Sequence, residues 1–415
     1  MPVGAGRPDA PGVPEIHLHV GLPKTGTSTI QAALDARVDA LAAAGVLYPG
    51  GRHRAHRLAA YDLLGQRVSG DDADVVAGAF QRLVEEATAY TGPQVLISDE
   101  DLGMARPRDV RRVVRSMGRN RVHVVIGVRD MARTVVSAWQ QNVMTGSTTS
   151  WERFISAVRD PGLAGVPEAT AFWLRHDPVR VLESWSTEIP PERIRLVTVP
   201  PAGCDGRVLL DRFAAATGLP ADLWDDRVEP ERNVALGAAE VEVVRRMNAV
   251  VRPRLNQDQH RFVVEQGLRP RLAVARPRPI RLPDEHLPWA REYADDLVAE
   301  LQCRGVEVVG DLGDLVPHDR VEPGLPFDQV GDDEVLEAAE AALAALAVGH
   351  ARLFRRYRRA FREREGRRPT PREVVGSSVR AAAFGLQKDL LRRSGDSRLL
   401  AWAVRSYVIR TSRRR

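Results

Sequence analysis

Residues 16–31, Ile-His-Leu-His-Val-Gly-Leu-Pro-Lys-Thr-Gly-Thr-Ser-Thr-Ile-Gln, constrain the fold more than any other stretch of the chain. Ile16, Leu18 and Val20 alternate with His17 and His19, the period of a strand. Gly21 to Gly26 forms a tight turn around a single lysine, and from Thr27 the pattern becomes helical, with Ile30, Ala33 and Leu34 on one face. A strand that enters a helix through a Gly/Thr loop makes an anion cradle. The free N–H groups at the helix start point at the ligand, and the helix dipole favours negative charge there. Lys24 adds a compact full charge. Only one other lysine, Lys388, occurs in the chain, whose 60 basic residues are otherwise all arginine. A lysine placed in such a loop is therefore a pointed choice.

The loop departs from the nucleotide-triphosphate pattern G-x-x-x-x-G-K-[ST], in which lysine follows the last glycine. Here Lys24 precedes Gly26, in Pro23-Lys24-Thr25-Gly26-Thr27-Ser28-Thr29. Downstream, Gln94–Ser98 reads as a buried strand ending in Asp99-Glu100-Asp101, and Arg121–Val128 as another ending in Arg129. Ile194–Val199 reads as a further strand. Strands that alternate with helices indicate a parallel α/β sheet, whose ligands sit at the carboxyl ends of the strands. Lys24, Glu100 and Arg129 all fall there. Eight residues after Arg129, Ser137 lies two helical turns on, so a guanidinium and a hydroxyl are set to clasp one phosphate.

The order Lys24-Thr25-Gly26-Thr27-Ser28-Thr29 resembles the 5′-phosphosulfate loop of sulfotransferases that use 3′-phosphoadenosine 5′-phosphosulfate (PAPS), and the Arg129/Ser137 pair resembles their 3′-phosphate motif. The runs around Trp139, Trp151, Trp173, Trp185 and Arg232-Asn233 look like actinobacterial members of that family, so the resemblance covers residues 15–317. It departs at Met144-Thr145, where relatives carry a basic residue, which bears on a peripheral contact. The resemblance implies an α/β, P-loop-like three-layer fold with a central parallel sheet flanked by helices. It also implies in-line transfer of a sulfuryl group from PAPS to a hydroxyl or amine, with adenosine 3′,5′-bisphosphate as product. Lys24, Thr25, Gly26, Thr27, Ser28 and Thr29 would hold the 5′-phosphate, and Arg129 and Ser137 the 3′-phosphate. Ser137 would also restrain Lys24, and Arg232 and Asn233 would reach the adenine or the 3′-phosphate.

A general base should deprotonate the acceptor. Glu100 is the first candidate and His56, read as a loop residue, the second, with His53 behind it; His17, His19 and His123 lie within strands and read as packed. No H-x-x-x-H or Cys/His grouping occurs, so no metal is expected. A P-loop kinase would require a Walker-type G-K-[ST], which is absent. A non-catalytic nucleotide-binding module docking a partner through its basic tail would make Lys24, Arg129 and Ser137 dispensable, and all three are present. The acceptor, a carbohydrate, glycolipid or secondary metabolite, is left open.

Residues 1–14, with neither a basic nor an apolar region, read as a disordered segment rather than a signal peptide. Cys204 and Cys303 suit a reducing cytoplasm. Residues 318–331 read as a linker and 332–415 as a helical, Arg-rich extension. The net charge of +5 conceals an asymmetry: residues 351–415 carry 20 Lys/Arg against 5 Asp/Glu, and the rest 40 against 50. The extension is thus suited to peripheral contact with anionic membrane or an acidic partner, with no membrane-spanning segment expected.

Overall fold

The computed structural model describes residues 13–66, 73–160, 167–224, 236–272, 279–317 and 324–364. Arg232-Asn233 and the expected helical extension from 365 on lie outside the described residues. The chain divides into two compact units, Met1–Leu346 and Ala347–Arg415.

The first unit is built on a parallel sheet of β1 (Glu15–His19), β2 (Val46–Leu47), β3 (Gln94–Ser98), β4 (Val122–Val128), β5 (Ile194–Thr198) and β7 (Glu307–Val309), in spatial order β2-β3-β1-β4-β5-β7. A two-stranded ribbon, β6 (Ile280–Arg281) and β8 (Leu325–Pro326), stands apart. β2 and β7 are the edges of the sheet, and β7, only three residues long, pairs in parallel with Arg195–Val197. β1 is central, paired with β3 and β4 in registers that set His19 beside Ser98 and Val125. The chain crosses from one side of β1 to the other between β3 and β4, so a crevice opens outside the carboxyl ends of these strands.

Period-2 alternation assigns the two faces. Ile16, Leu18, Val95, Ile97, Val124, Ile126 and Leu196 enter one buried cluster with Trp185 and Leu301. Leu96, Val125 and Val197 enter the other, with Ile30 and Leu34 of helix α1 (Thr27–Asp35) and Phe213 of the helix Gly206–Thr217. His17 and His19 take their places on this second face, buried as expected; His17 stacks on His123 at 4.9 Å, and His19 meets Phe213 edge-on at 5.1 Å. Both faces are covered by helices, giving the three-layer α/β fold.

Helix α2 runs His53–Leu64, so His53 and His56 are helical rather than part of a loop. A short turn at Pro49–Gly51 precedes it, and the His53 N–H donates to the Asp35 carboxylate at 2.7 Å, fixing the first turn. Residues 324–346 belong to the first unit rather than to a linker and extension. Phe327 packs on Trp139 (4.5 Å), and Ala342 and Ala345 of helix α4 (Asp332–Arg364), numbered after α3 (Met131–Met144), join a third buried cluster.

Candidate active site

The loop between β1 and α1 is held from three sides. The Leu22 N–H donates to the Gly127 carbonyl at the end of β4 (3.0 Å), and the Thr25 hydroxyl donates to the Leu22 carbonyl (2.6 Å). Gly127 is compelled here: a Cβ would lie 2.6 Å from Thr25 Oγ1. Gly26 caps α1 at φ +82°, a left-handed conformation that glycine adopts without strain, and a Cβ there would strike Leu209 at 2.3 Å. Lys24 itself stands at φ +68°, unusual for a residue with a side chain. The Thr29 and Ile30 N–H groups turn back to the Gly26 carbonyl, so Thr27 and Ser28 present the open N–H groups at the helix end. Ser28 is exposed, Thr29 half-buried and Thr27 buried. The Thr25 hydroxyl is thus committed to shaping the turn and offers a ligand only its backbone.

Two motifs 105 residues apart meet at this loop: Arg129 Nη1 donates to the Lys24 carbonyl at 3.0 Å. Asp130 accepts from the Arg133 N–H (2.8 Å) and starts α3, which carries Ser137, half-buried, on its second turn. Lys24 Nζ donates to Gln141 Oε1 at 2.9 Å, one turn beyond Ser137. The side-chain hydrogen bond of the lysine thus runs to Gln141 rather than to Ser137. The lysine's pKa is pushed down to about 8, chiefly by burial and then by Arg269, with Glu100 working the other way. Arg269 is a basic neighbour that sequence reading missed. It follows the π-helical turn Phe262–Leu268 and pairs with Glu265 of that turn at 3.2 Å. Nothing in its local sequence separates it from the many other arginines there.

Glu100 lies against the same loop, its Cα 3.0 Å from where a Gly21 Cβ would stand. Burial alone would raise its pKa, but the Gln31 amide donates to Oε2 (2.8 Å) and, with other bonds and charges, holds the carboxyl below its usual range. Gln31 also reaches Ser98 Oγ at 3.5 Å, and Ser98 Oγ lies 2.8 Å from His19 Nδ1. A buried polar string therefore runs from β1 through β3 and α1 to Glu100.

His56 is corrected from candidate base to structural clamp. Its Nε2–H donates to the Pro49 carbonyl (2.8 Å) and its Nδ1 accepts from the Ser98 N–H (3.1 Å), leaving no nitrogen for an acceptor. Burial pushes its pKa down to about 4. His53, ranked below it, reaches the strand end that carries Glu100: Nε2–H donates to Asp99 Oδ2 at 3.0 Å. Donor atoms of His53, Asp99 and Glu100 lie within 4.8 Å of one another, a convergence that their separation in sequence conceals. Burial raises the Asp99 pKa, and the bond from His53 opposes that rise.

The donor set, an ammonium, a guanidinium and open helix N–H groups with a carboxylate beside them, can hold an anionic group next to a proton acceptor. No family model and no curated protein matches the chain. Among solved structures it is similar to the crystal structure of a sulfotransferase from Alicyclobacillus acidocaldarius, at 15% identity over 61% of this chain and 96% of that one, with a TM-score of 0.36.

Proposed function

We propose that this protein is a PAPS-dependent sulfotransferase acting on a hydroxyl or amine of a carbohydrate, glycolipid or secondary metabolite. The observation that carries the reading is the junction of the two motifs, Arg129 on the backbone of Lys24, beside a Glu100 packed on the same loop. When bound, the nucleotide supplies a sulfuryl group activated by its 5′-phosphate leaving group. Lys24 and the Thr27 and Ser28 N–H groups would hold that phosphate, and Arg129 and Ser137 the 3′-phosphate. Lys24 neutralises the negative charge that grows on the leaving oxygens, a preorganised electrostatic contribution. Its pKa near 8 keeps most of it charged at neutral pH. Glu100, ionised through its bond from Gln31, takes the proton released by the acceptor. His53 and Asp99 fix the far side of that pocket.

The test is thermal unfolding with adenosine 3′,5′-bisphosphate, ADP or AMP, on the wild type and Arg129→Ala. At about a hundred times Kd a ligand adds about 2.7 kcal/mol. A shift with the bisphosphate alone, lost in Arg129→Ala, supports the reading, and labelled PAPS then identifies acceptors. Equal shifts with all three nucleotides, or none, overturn it.

A further inference from the structure

The described part of the second unit, residues 347–364, is the carboxyl-terminal portion of α4. At 3.6 residues per turn, Leu353, Phe354, Tyr357 and Phe361 fall within an arc of about 100°, while Arg352, Arg355, Arg356 and Arg359 occupy the opposite side. The apolar arc is open to solvent: Leu353 is 48% exposed, Phe354 55%, Tyr357 67% and Phe361 51%. Among the described residues, these rings meet neighbours on their own helix, Tyr357 on Phe361 at 6.3 Å and the Arg358 guanidinium 5.9 Å from the Phe354 ring. A continuous aromatic stripe left in water, backed by arginines, is the composition of a helix that lies in a lipid interface.

Two other occupants fit less well. A second copy would bring together two helices that each carry seven arginines and one glutamate over 352–364, a like-charge clash. An acidic protein partner would answer the arginines but gives no reason for four exposed apolar side chains in register. Nor is any described helix long and apolar enough to cross a membrane.

We propose that this segment binds an anionic lipid surface in the plane of the interface, with Leu353, Phe354, Tyr357 and Phe361 entering the acyl boundary and the arginines on the headgroup phosphates. The sequence points only to a basic tail; the helix phase singles out the face. The contact is independent of the sulfotransferase reading, since it uses none of the site residues.

The experiment is co-sedimentation of the full chain with phosphatidylcholine vesicles, with and without about one-third phosphatidylserine, which carries the surface charge that attracts basic segments. The wild type should partition at least tenfold more strongly onto the anionic vesicles. Phe354→Ala/Phe361→Ala, which keeps every arginine, should lose roughly tenfold or more of that partition, and Arg355→Glu/Arg359→Glu should lose the preference for phosphatidylserine. All four positions are exposed, so an unchanged melting temperature checks that the variants fold. Absence of vesicle binding, equal binding to both vesicles, or a Phe354→Ala/Phe361→Ala variant that binds like wild type overturns the proposal. So does a lipid-free dimer in sedimentation equilibrium that the same double variant dissolves, which would make the face a self-interface.

Discussion

The Lys24 loop and the Glu100 pocket meet at Gly21, yet they are built by opposite means. The loop is mostly backbone: glycines, a helix end, carbonyls and one lysine, within a dozen residues apart from Gly127, Arg129 and Gln141. The pocket is mostly side chain, with Gln31, His53, Ser98, Asp99 and Glu100 gathered from two helices and a strand end. An anion cradle needs positive potential, which backbone dipoles supply cheaply. A base needs a defined protonation state, which takes a network of partners. The difference predicts that loop variants change both ligand binding and rate, while pocket variants change rate alone.

The largest expected effect is at the pocket. Glu100→Gln should lower kcat by about 10²–10⁴-fold and leave the thermal shift from adenosine 3′,5′-bisphosphate intact; loss of that shift would merge the two regions into one. Lys24→Ala should lower kcat by about 10²–10³-fold and weaken the bisphosphate shift as well. In the wild type, kcat/KM should fall as pH rises through about 8, where the free lysine loses its charge.

Acid stability probes the scaffold beneath both regions. Burial depresses His17, His19 and His56 to about 4 and His176 to about 3. They stay neutral in the fold, whereas the unfolded chain protonates them below about 6.5. Their stabilisation is therefore full above pH 6.5 and is lost as pH falls toward 4. The melting temperature should drop steeply across that window, and His56→Gln should flatten part of the drop; a melting curve level from pH 7 to 4.5 would contradict the burial argument.

Smaller effects separate the two restraining amides. Gln141→Leu frees Lys24 and should change KM for the donor by several-fold, on the order of one hydrogen bond, about 1 kcal/mol. Gln31→Leu removes the bond that keeps Glu100 acidic, so the carboxylate pKa rises and the acid limb of the pH–rate profile should move up. Movement of the limb downward, or a change in bisphosphate binding, would assign Gln31 to the loop instead.

What the sequence reveals follows the same division. Lys24, Gly26 and the helix start are legible because they are local and their spacing is their mechanism. Arg129 and Glu100 are legible through a general rule, that strand ends in a parallel sheet converge. Gln141 and Gln31 are not, because a glutamine on a helix carries no mark of what it faces until tertiary packing aims it. His56 misleads for the same reason: with Gly50 and Gly51 nearby it reads as a loop residue, and only the bond to the Pro49 carbonyl and the bond from the Ser98 N–H show it as part of the frame.

The central place of β1 also sets a timetable for the molecule's birth. Its two flanking partners end at Ser98 and Val128, so the strand that carries the Lys24 loop leaves the ribosome first and waits with both edges unpaired. At about 5–20 residues per second, the gap of roughly a hundred residues lasts on the order of 5–20 s. Over that interval Ile16, Leu18 and Val20 have no sheet to enter, and chaperone capture or intermolecular strand pairing competes for them.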